Sequence, residues 1–225
     1  MNILVIGSVL NAQECADKFG KTHTYTLAKH QQTAEKFFSA SDVIFDFIID
    51  QDPSQMDVYR DPMKVTAFLN TSFVSLSQLS LAVNHQVNCT LFGFCGMPTF
   101  LNREILEVSL RSDADSNALN RICKLIGTDF IFVDDRVGLV SPRVICMIIN
   151  EAYYTVQEGT ATKEDIDIAM KLGTNYPYGP FEWCSRIGIQ QVYKLLAAVY
   201  EDTKDERYKI CPLLKEEFLK SATQQ

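Results

Sequence analysis

The chain has 225 residues, 47% of them hydrophobic and 22% charged, the balance of a globular protein long enough for one large domain or two small ones. A net charge of −7 and a pI near 5.0 argue against a nucleic-acid or anionic-membrane surface, but leave room for a local basic pocket around a phosphorylated ligand. No apolar run reaches the roughly 18–20 residues of a membrane span.

Met1–Leu10 is apolar, lacks a basic leader and begins a strand at once, so no signal peptide is expected there. The cysteines are Cys15, Cys89, Cys95, Cys123, Cys146, Cys184 and Cys211. Their number is odd and no Cys-x-x-Cys spacing occurs. That pattern predicts reduced buried thiols in a cytoplasmic protein, with neither a disulfide framework nor a metal site.

Asn2–Gly7 is a continuous apolar run ending in glycine, the pattern of a strand buried on both faces, and Asn11–Phe19 has helical character. Strand, glycine turn and helix suggest a Rossmann unit. The dinucleotide fingerprint wants three glycines, and only Gly7 is present; Val9 stands at the second position and Ala12 at the third. Alanine is tolerated at the third, whereas valine at the second adds bulk where backbone should approach a pyrophosphate. The turn is therefore either a weak dinucleotide site or a strand–turn–helix that binds nothing.

Thr22–Leu27 reads as a second strand. The acid that would hold ribose hydroxyls at its end is replaced by Ala28, Lys29 and His30. Lys29 and His30 could attract a 2′-phosphate or simply form an exposed basic helix start. A short helix ends with Ala34–Phe38. Strands are expected at Asp42–Ile49, Val65–Asn70, Thr90–Cys95 and Thr128–Val133, with helices at Ser75–Val83 and Asp113–Ile126. Asp134–Arg136 reads as a linker.

Beyond the linker, Pro142 suits the first turn of a helix, where its missing N–H has no intrahelical partner. The run Pro142–Glu158 is apolar on nearly all faces, which fits burial against other helices or a subunit interface. Thr162 and Asp165 have the form of a capping box, opening a helix that Gly173 can close. The prolines and glycine between Tyr176 and Phe181 predict a rigid turn. Ile187–Tyr200 is amphipathic, with Ile189, Val192, Leu195, Leu196 and Val199 assigned to the core, and Pro212–Leu219 forms a last helix.

Glu164–Glu182 carries the pattern Glu-Asp-Ile-Asp-x-Ala-Met-Lys-Leu-Gly-x-x-Tyr-Pro-x-Gly-Pro-Phe-Glu. It closely resembles the C-terminal helical domain of the 3-hydroxyacyl-CoA dehydrogenases. The resemblance runs from Gly138 to about Lys220. It implies a truncated Rossmann-like NAD-binding domain over residues 1–135, followed by a helical dimerisation and substrate domain over residues 136–225. It further implies NAD as cofactor, an acyl-CoA-type substrate oxidised at its 3-hydroxyl, and a homodimer formed through the helical domain. The path between the strands at Thr22 and Asp42 is much shorter than the family's, which trims the adenine side of the cleft.

Site residues follow from the same resemblance. Asp50 takes the acidic turn after the third strand. Ser72, in Asn70-Thr71-Ser72, fits the serine that hydrogen-bonds the substrate oxygen, and Glu107 fits the acid that orients a catalytic histidine. The histidine is missing, leaving Gly93 or Cys95 in its place, and Pro142 replaces an asparagine. Oxidation of a secondary alcohol needs a proton acceptor, and imidazole serves well near neutral pH. The substitutes are poor: His23 and His30 lie far from Ser72 in such a fold, His85 reads as a solvated loop residue, and Cys95 lacks an adjacent base. Glu107 would serve only if desolvation raised its pKa. Three readings stay open: an altered dehydrogenase, a catalytically silent relative that binds acyl-CoA or a protein, and other acyl-CoA chemistry using Ser72, Glu107 and Cys95.

Overall fold

In the computed structural model residues 1–60, 65–83 and 89–223 are described, and they fall into two units, Met1–Leu139 and Val140–Gln225. The expected loop Asn84–Asn88, with His85, lies outside the described residues.

The first unit is built on β1 (Asn2–Ile6), β2 (Thr24–Ala28), β3 (Val43–Asp46), β4 (Thr66–Asn70), β5 (Thr90–Phe94), β6 (Ile105–Leu110) and β7 (Asp129–Phe132). Among the described residues these form a seven-stranded sheet in the order β2-β1-β3-β4-β5-β6-β7. The pairs from β2 to β5 are parallel, β6 runs antiparallel to β5, and β7 is parallel to β6. Because β1 lies between β2 and β3, the chain reverses its winding there, which opens a crevice beyond the strand ends.

Continuous apolar strands are explained by burial on both faces. One face carries Val5, Phe45, Phe68 and Phe92 against Cys15 and Phe19 of α1 (Val9–Phe19) and Leu119 and Ile122 of α4 (Ser116–Ile126). The other carries Leu4, Ile44, Ala67 and Leu91 against Phe38, Met56 and Tyr59 and the buried leucines of α3 (Leu76–Leu81). Phe45 and Phe68 stack with centroids 4.7 Å apart. Each such ring buried contributes roughly 1.5–3 kcal/mol. The crossover from β2 to β3 holds only α2 (Gln31–Ala34) and a 3₁₀ turn, Glu35–Ala40.

Local chemistry moves several expected boundaries. α1 starts at Val9 rather than Asn11 because Ser8 is its N-cap. β3 stops at Asp46 instead of reaching Ile49, since the Asp46 carboxylate accepts the Ile48 N–H at 3.0 Å and turns the chain. The first unit extends through Leu139, past the expected boundary after residue 135. Asp135 is not linker: its carboxylate accepts from the N–H groups of Leu76 (2.7 Å) and Ser77 (2.8 Å), capping α3.

The second unit consists of α5 (Ser141–Gln157), α6 (Lys163–Thr174), α7 (Pro180–Ile187), α8 (Ile189–Thr203) and α9 (Pro212–Ala222). Thr162 caps α6 as expected, but Gly173 does not close it; the helix runs through Thr174 and ends on Asn175 at φ +57°. Phe181 is helical rather than part of the turn, because Pro180 occupies the first turn of α7. Ile189 is only half-buried, while Val192, Leu195, Leu196 and Val199 form the buried stripe of α8.

The long motif proves to be a packing device. Asp167 of α6 accepts the N–H groups of Phe181 (2.8 Å) and Glu182 (3.1 Å), capping α7 from outside. A Cβ on Gly179 would lie 2.2 Å from the Asp167 carboxylate, so only glycine fits. Glu182 then pairs with Lys171 at 2.5 Å and accepts the Gly179 N–H. Buried Asn150 of α5 receives the Cys211 N–H at 2.9 Å and donates to the Lys209 carbonyl at 2.9 Å, fixing the approach to α9.

Candidate active site

Asn70 is the centre of the polar end of the sheet. Lying at the end of β4, its side-chain amide donates to the Phe47 carbonyl (3.0 Å) and to Asp50 Oδ2 (2.8 Å). Its Oδ1 accepts from the Ser72 N–H (3.1 Å), the Ser72 hydroxyl (2.6 Å) and the Gly96 N–H (2.8 Å). One side chain thus joins the ends of β3, β4 and β5, and brings the expected site residues Asp50 and Ser72 onto a common partner. Burial of Asn70 makes these bonds obligatory, since an unmatched amide there would cost about 1–3 kcal/mol. Gly96 is required by the close approach: a Cβ would sit 2.7 Å from Asn70 Cγ.

Ser72 is itself fully buried. Its single proton has two acceptors in reach, Asn70 Oδ1 at 2.6 Å and Cys95 Sγ at 3.4 Å. Its hydroxyl is therefore engaged within the sheet end. Burial pushes the Cys95 thiol up to about 12, outweighing the hydrogen bond from Ser72. A thiol held there is protonated at neutral pH and is no nucleophile. Glu107 and Arg103 both lie near enough to act on Cys95 electrostatically. Glu107 is half-buried on β6, opposite Ile131.

Gly93 is, with Cys95, one of the two positions left for the missing histidine. It pairs with Ser109 across β5 and β6, and a Cβ on it would lie 2.2 Å from Ser109 Oγ and 2.8 Å from Thr71 Oγ1. The room for a side chain at 93 is filled by two hydroxyls. The loop after β5 is anchored on α1: Glu14 accepts the Thr99 N–H at 3.1 Å, and Lys18 donates to the carbonyls of Arg103 and Glu104. Thr99 is held at φ +75°, a strained geometry for a β-branched residue.

The dinucleotide cradle has to be tested at Gly7. Its φ is +153°, and a Cβ there would meet Asn11 Oδ1 at 2.7 Å and Phe47 Cβ at 3.3 Å. Asn11 Oδ1 accepts the Ser8 N–H (2.9 Å) and hydroxyl (2.7 Å), the Asn11 N–H donates to Ser8 Oγ (3.3 Å), and the Gly7 N–H donates to the Ala28 carbonyl (2.9 Å). Three backbone donors of the turn, those of Gly7, Ser8 and Asn11, are therefore engaged by the chain itself. Val9 projects into solvent, 69% exposed, so it is not the side chain that fills the turn. Ala12 packs partly buried against the core, and Lys29 and His30 are exposed. The residues present do not fit a dinucleotide pyrophosphate.

Of the other expected residues, Pro142 is buried in the first turn of α5 and belongs to the second unit. His23 lies 3.4 Å from the N-terminal ammonium at the far edge of the sheet. Asn11 and Asn70 were the residues a reading of motifs alone passes over. For Asn11 the signal was present, a Ser-x-x-Asn cap of its own helix; for Asn70 it was the first residue of its own triplet.

Residues 138–225 match the family model described as 3-hydroxyacyl-CoA dehydrogenase, C-terminal domain. The chain is 41% identical over 93 residues to the 3-hydroxyadipyl-CoA dehydrogenase of Escherichia coli strain K12, a stretch covering 41% of this chain and 20% of that protein. It is 27% identical over 190 residues to a probable 3-hydroxybutyryl-CoA dehydrogenase of Bacillus subtilis strain 168, covering 82% and 66% of the two chains. The crystal structure of (S)-3-hydroxybutyryl-CoA dehydrogenase PaaH1 from Ralstonia eutropha superposes with a TM-score of 0.71 at 18% identity, covering 98% of this chain and 94% of that one, which establishes a shared fold. The matched stretches thus span between 20% and 66% of those two relatives' lengths. Residues 138–225 thus match the C-terminal domain of the 3-hydroxyacyl-CoA dehydrogenases, and the chain shares its fold with a 3-hydroxybutyryl-CoA dehydrogenase.

Proposed function

We propose that this chain is an impaired 3-hydroxyacyl-CoA dehydrogenase: an acyl-CoA-type thioester is its ligand class, and NAD-linked oxidation of 3-hydroxyacyl-CoA to 3-oxoacyl-CoA is the family reaction it no longer supports well. The observation that carries this reading is that neither position left for the histidine offers a base: Ser109 Oγ and Thr71 Oγ1 crowd Gly93, and Cys95 is a buried thiol with its pKa pushed up. No step is assigned to NAD, because the turn at Gly7 is filled by Asn11. Loss of a general base alone removes about 10²- to 10⁴-fold in rate. The expected results are NADH consumption with acetoacetyl-CoA slower by at least about 10²-fold than in a relative with its histidine, and a rise in melting temperature with acetoacetyl-CoA. Turnover equal to such a relative's would overturn the reading.

A second reading is supported by apolar side chains left open on the helical unit: Val144 of α5 is 51% exposed, and Ile168 and Leu172 of α6 are 53% and 84% exposed. They favour a homodimer formed through this unit. Sedimentation of the wild type beside Leu172→Glu checks it: a dimer that the variant converts to monomer is expected, and a monomeric wild type refutes it.

A further inference from the structure

The feature that bars the cofactor in this Rossmann-like unit is a specific side chain. The geometry points to Asn11, and not Val9, as the residue that determines whether the α1 turn accepts a pyrophosphate. The inference rests on the family reading above and deepens it by naming the specificity residue of the same crevice. The crevice lies where the winding reverses between β1 and β3, beyond Gly7 and Phe47. A phosphate there would need the open face of Gly7 and the nearby amide donors. Asn11 covers the first and engages two of the second, the Ser8 N–H and its own. Its Oδ1 stands 2.7 Å from the Cβ position of Gly7 and accepts the Ser8 N–H and hydroxyl, while its own N–H donates to Ser8 Oγ. An oxygen acceptor at that point also places partial negative charge where the ligand is anionic. Val9 and Leu10, in contrast, are 69% and 79% exposed and stand clear of the turn.

Asn11→Ala removes the carboxamide while keeping a good helix former; Val9→Gly restores the fingerprint glycine and leaves the carboxamide. NADH fluorescence titration and calorimetry with ADP-ribose are read on the wild type and both variants. The expected result is no saturation of the wild type at about 1 mM, a gain of roughly tenfold or more in Asn11→Ala, and no gain in Val9→Gly. Saturation of the wild type well below 1 mM, a gain confined to Val9→Gly, or no gain in either variant overturns the inference. Hydrogen exchange at the Ser8 amide keeps it falsifiable if Asn11→Ala fails to fold: in the wild type NADH at about 1 mM should leave that rate unchanged, and slowing by NADH refutes it. Acetoacetyl-CoA thermal shifts on the same samples separate the two readings. Rejection of NADH without any acetoacetyl-CoA shift faults the ligand class alone, and NADH binding with the shift intact faults the role of Asn11 alone.

Discussion

Asp46 offers a quantitative test of the packed sheet end. It is fully buried at the end of β3, with its carboxylate accepting from Tyr59 OH (2.9 Å), Gln31 Nε2 (3.2 Å) and the Ile48 N–H (3.0 Å). Burial dominates over these bonds and raises its pKa from 3.8 to about 6. The folded state therefore binds the proton more tightly than the unfolded chain. Its contribution to stability is fully present below about pH 4 and is lost as the pH rises through about 6. A difference of about two pKa units corresponds to about 3 kcal/mol. Asp46→Asn does not titrate, so subtracting its urea-unfolding free energy from that of the wild type cancels the other ionisable groups. The difference should move by roughly 2–2.5 kcal/mol, most of the full shift, in favour of the variant between pH 4 and pH 7. A difference that stays flat across that range would refute the assignment of Asp46 as the buried titrating group.

Two further outcomes follow from the site and its motif. Asp167→Ala should destabilise the helical unit by about 1–2 kcal/mol, through loss of the α7 cap, with α7 amides the first to exchange; unchanged α7 protection would show that the cap is not what holds the motif. With a thiol pKa of about 12, Cys95 should resist iodoacetamide at pH 8 in the folded protein and react once the chain is unfolded in urea, as mass spectrometry of the labelled peptides would read. Rapid labelling of folded protein would reveal an accessible thiolate.

Much of the fold was legible because its causes are local. Continuous apolar runs marked β1, β4 and β5, and the Thr162 cap placed the start of α6. Boundaries failed where a polar side chain redirected the backbone: Asp46 ended β3 early, and Asp135 drew the expected linker into the first unit. Asp46 stood out in principle, a lone acid in an apolar run, yet its partners Gln31 and Tyr59 come from distant turns that no periodicity connects. The site was legible as a set of positions and not as a set of bonds. Ser72 was identifiable from its triplet, whereas the engagement of its hydroxyl by Asn70 depends on how β4 meets β5. Similarly, Val9 drew attention as the wrong residue in a pattern, while the filled turn is due to Asn11, whose effect depends on its rotamer.

The hydroxyls beside Gly93 bear on any attempt to install an imidazole there. Placing histidine at that strand position would drive its first carbon into Ser109 and Thr71, so the substitution would be harmful unless both neighbours were made smaller. Making room for a side chain at 93 would therefore involve three residues, on two strands and the loop after β4. A single substitution at that strand position does not supply a base; the neighbouring hydroxyls have to yield first.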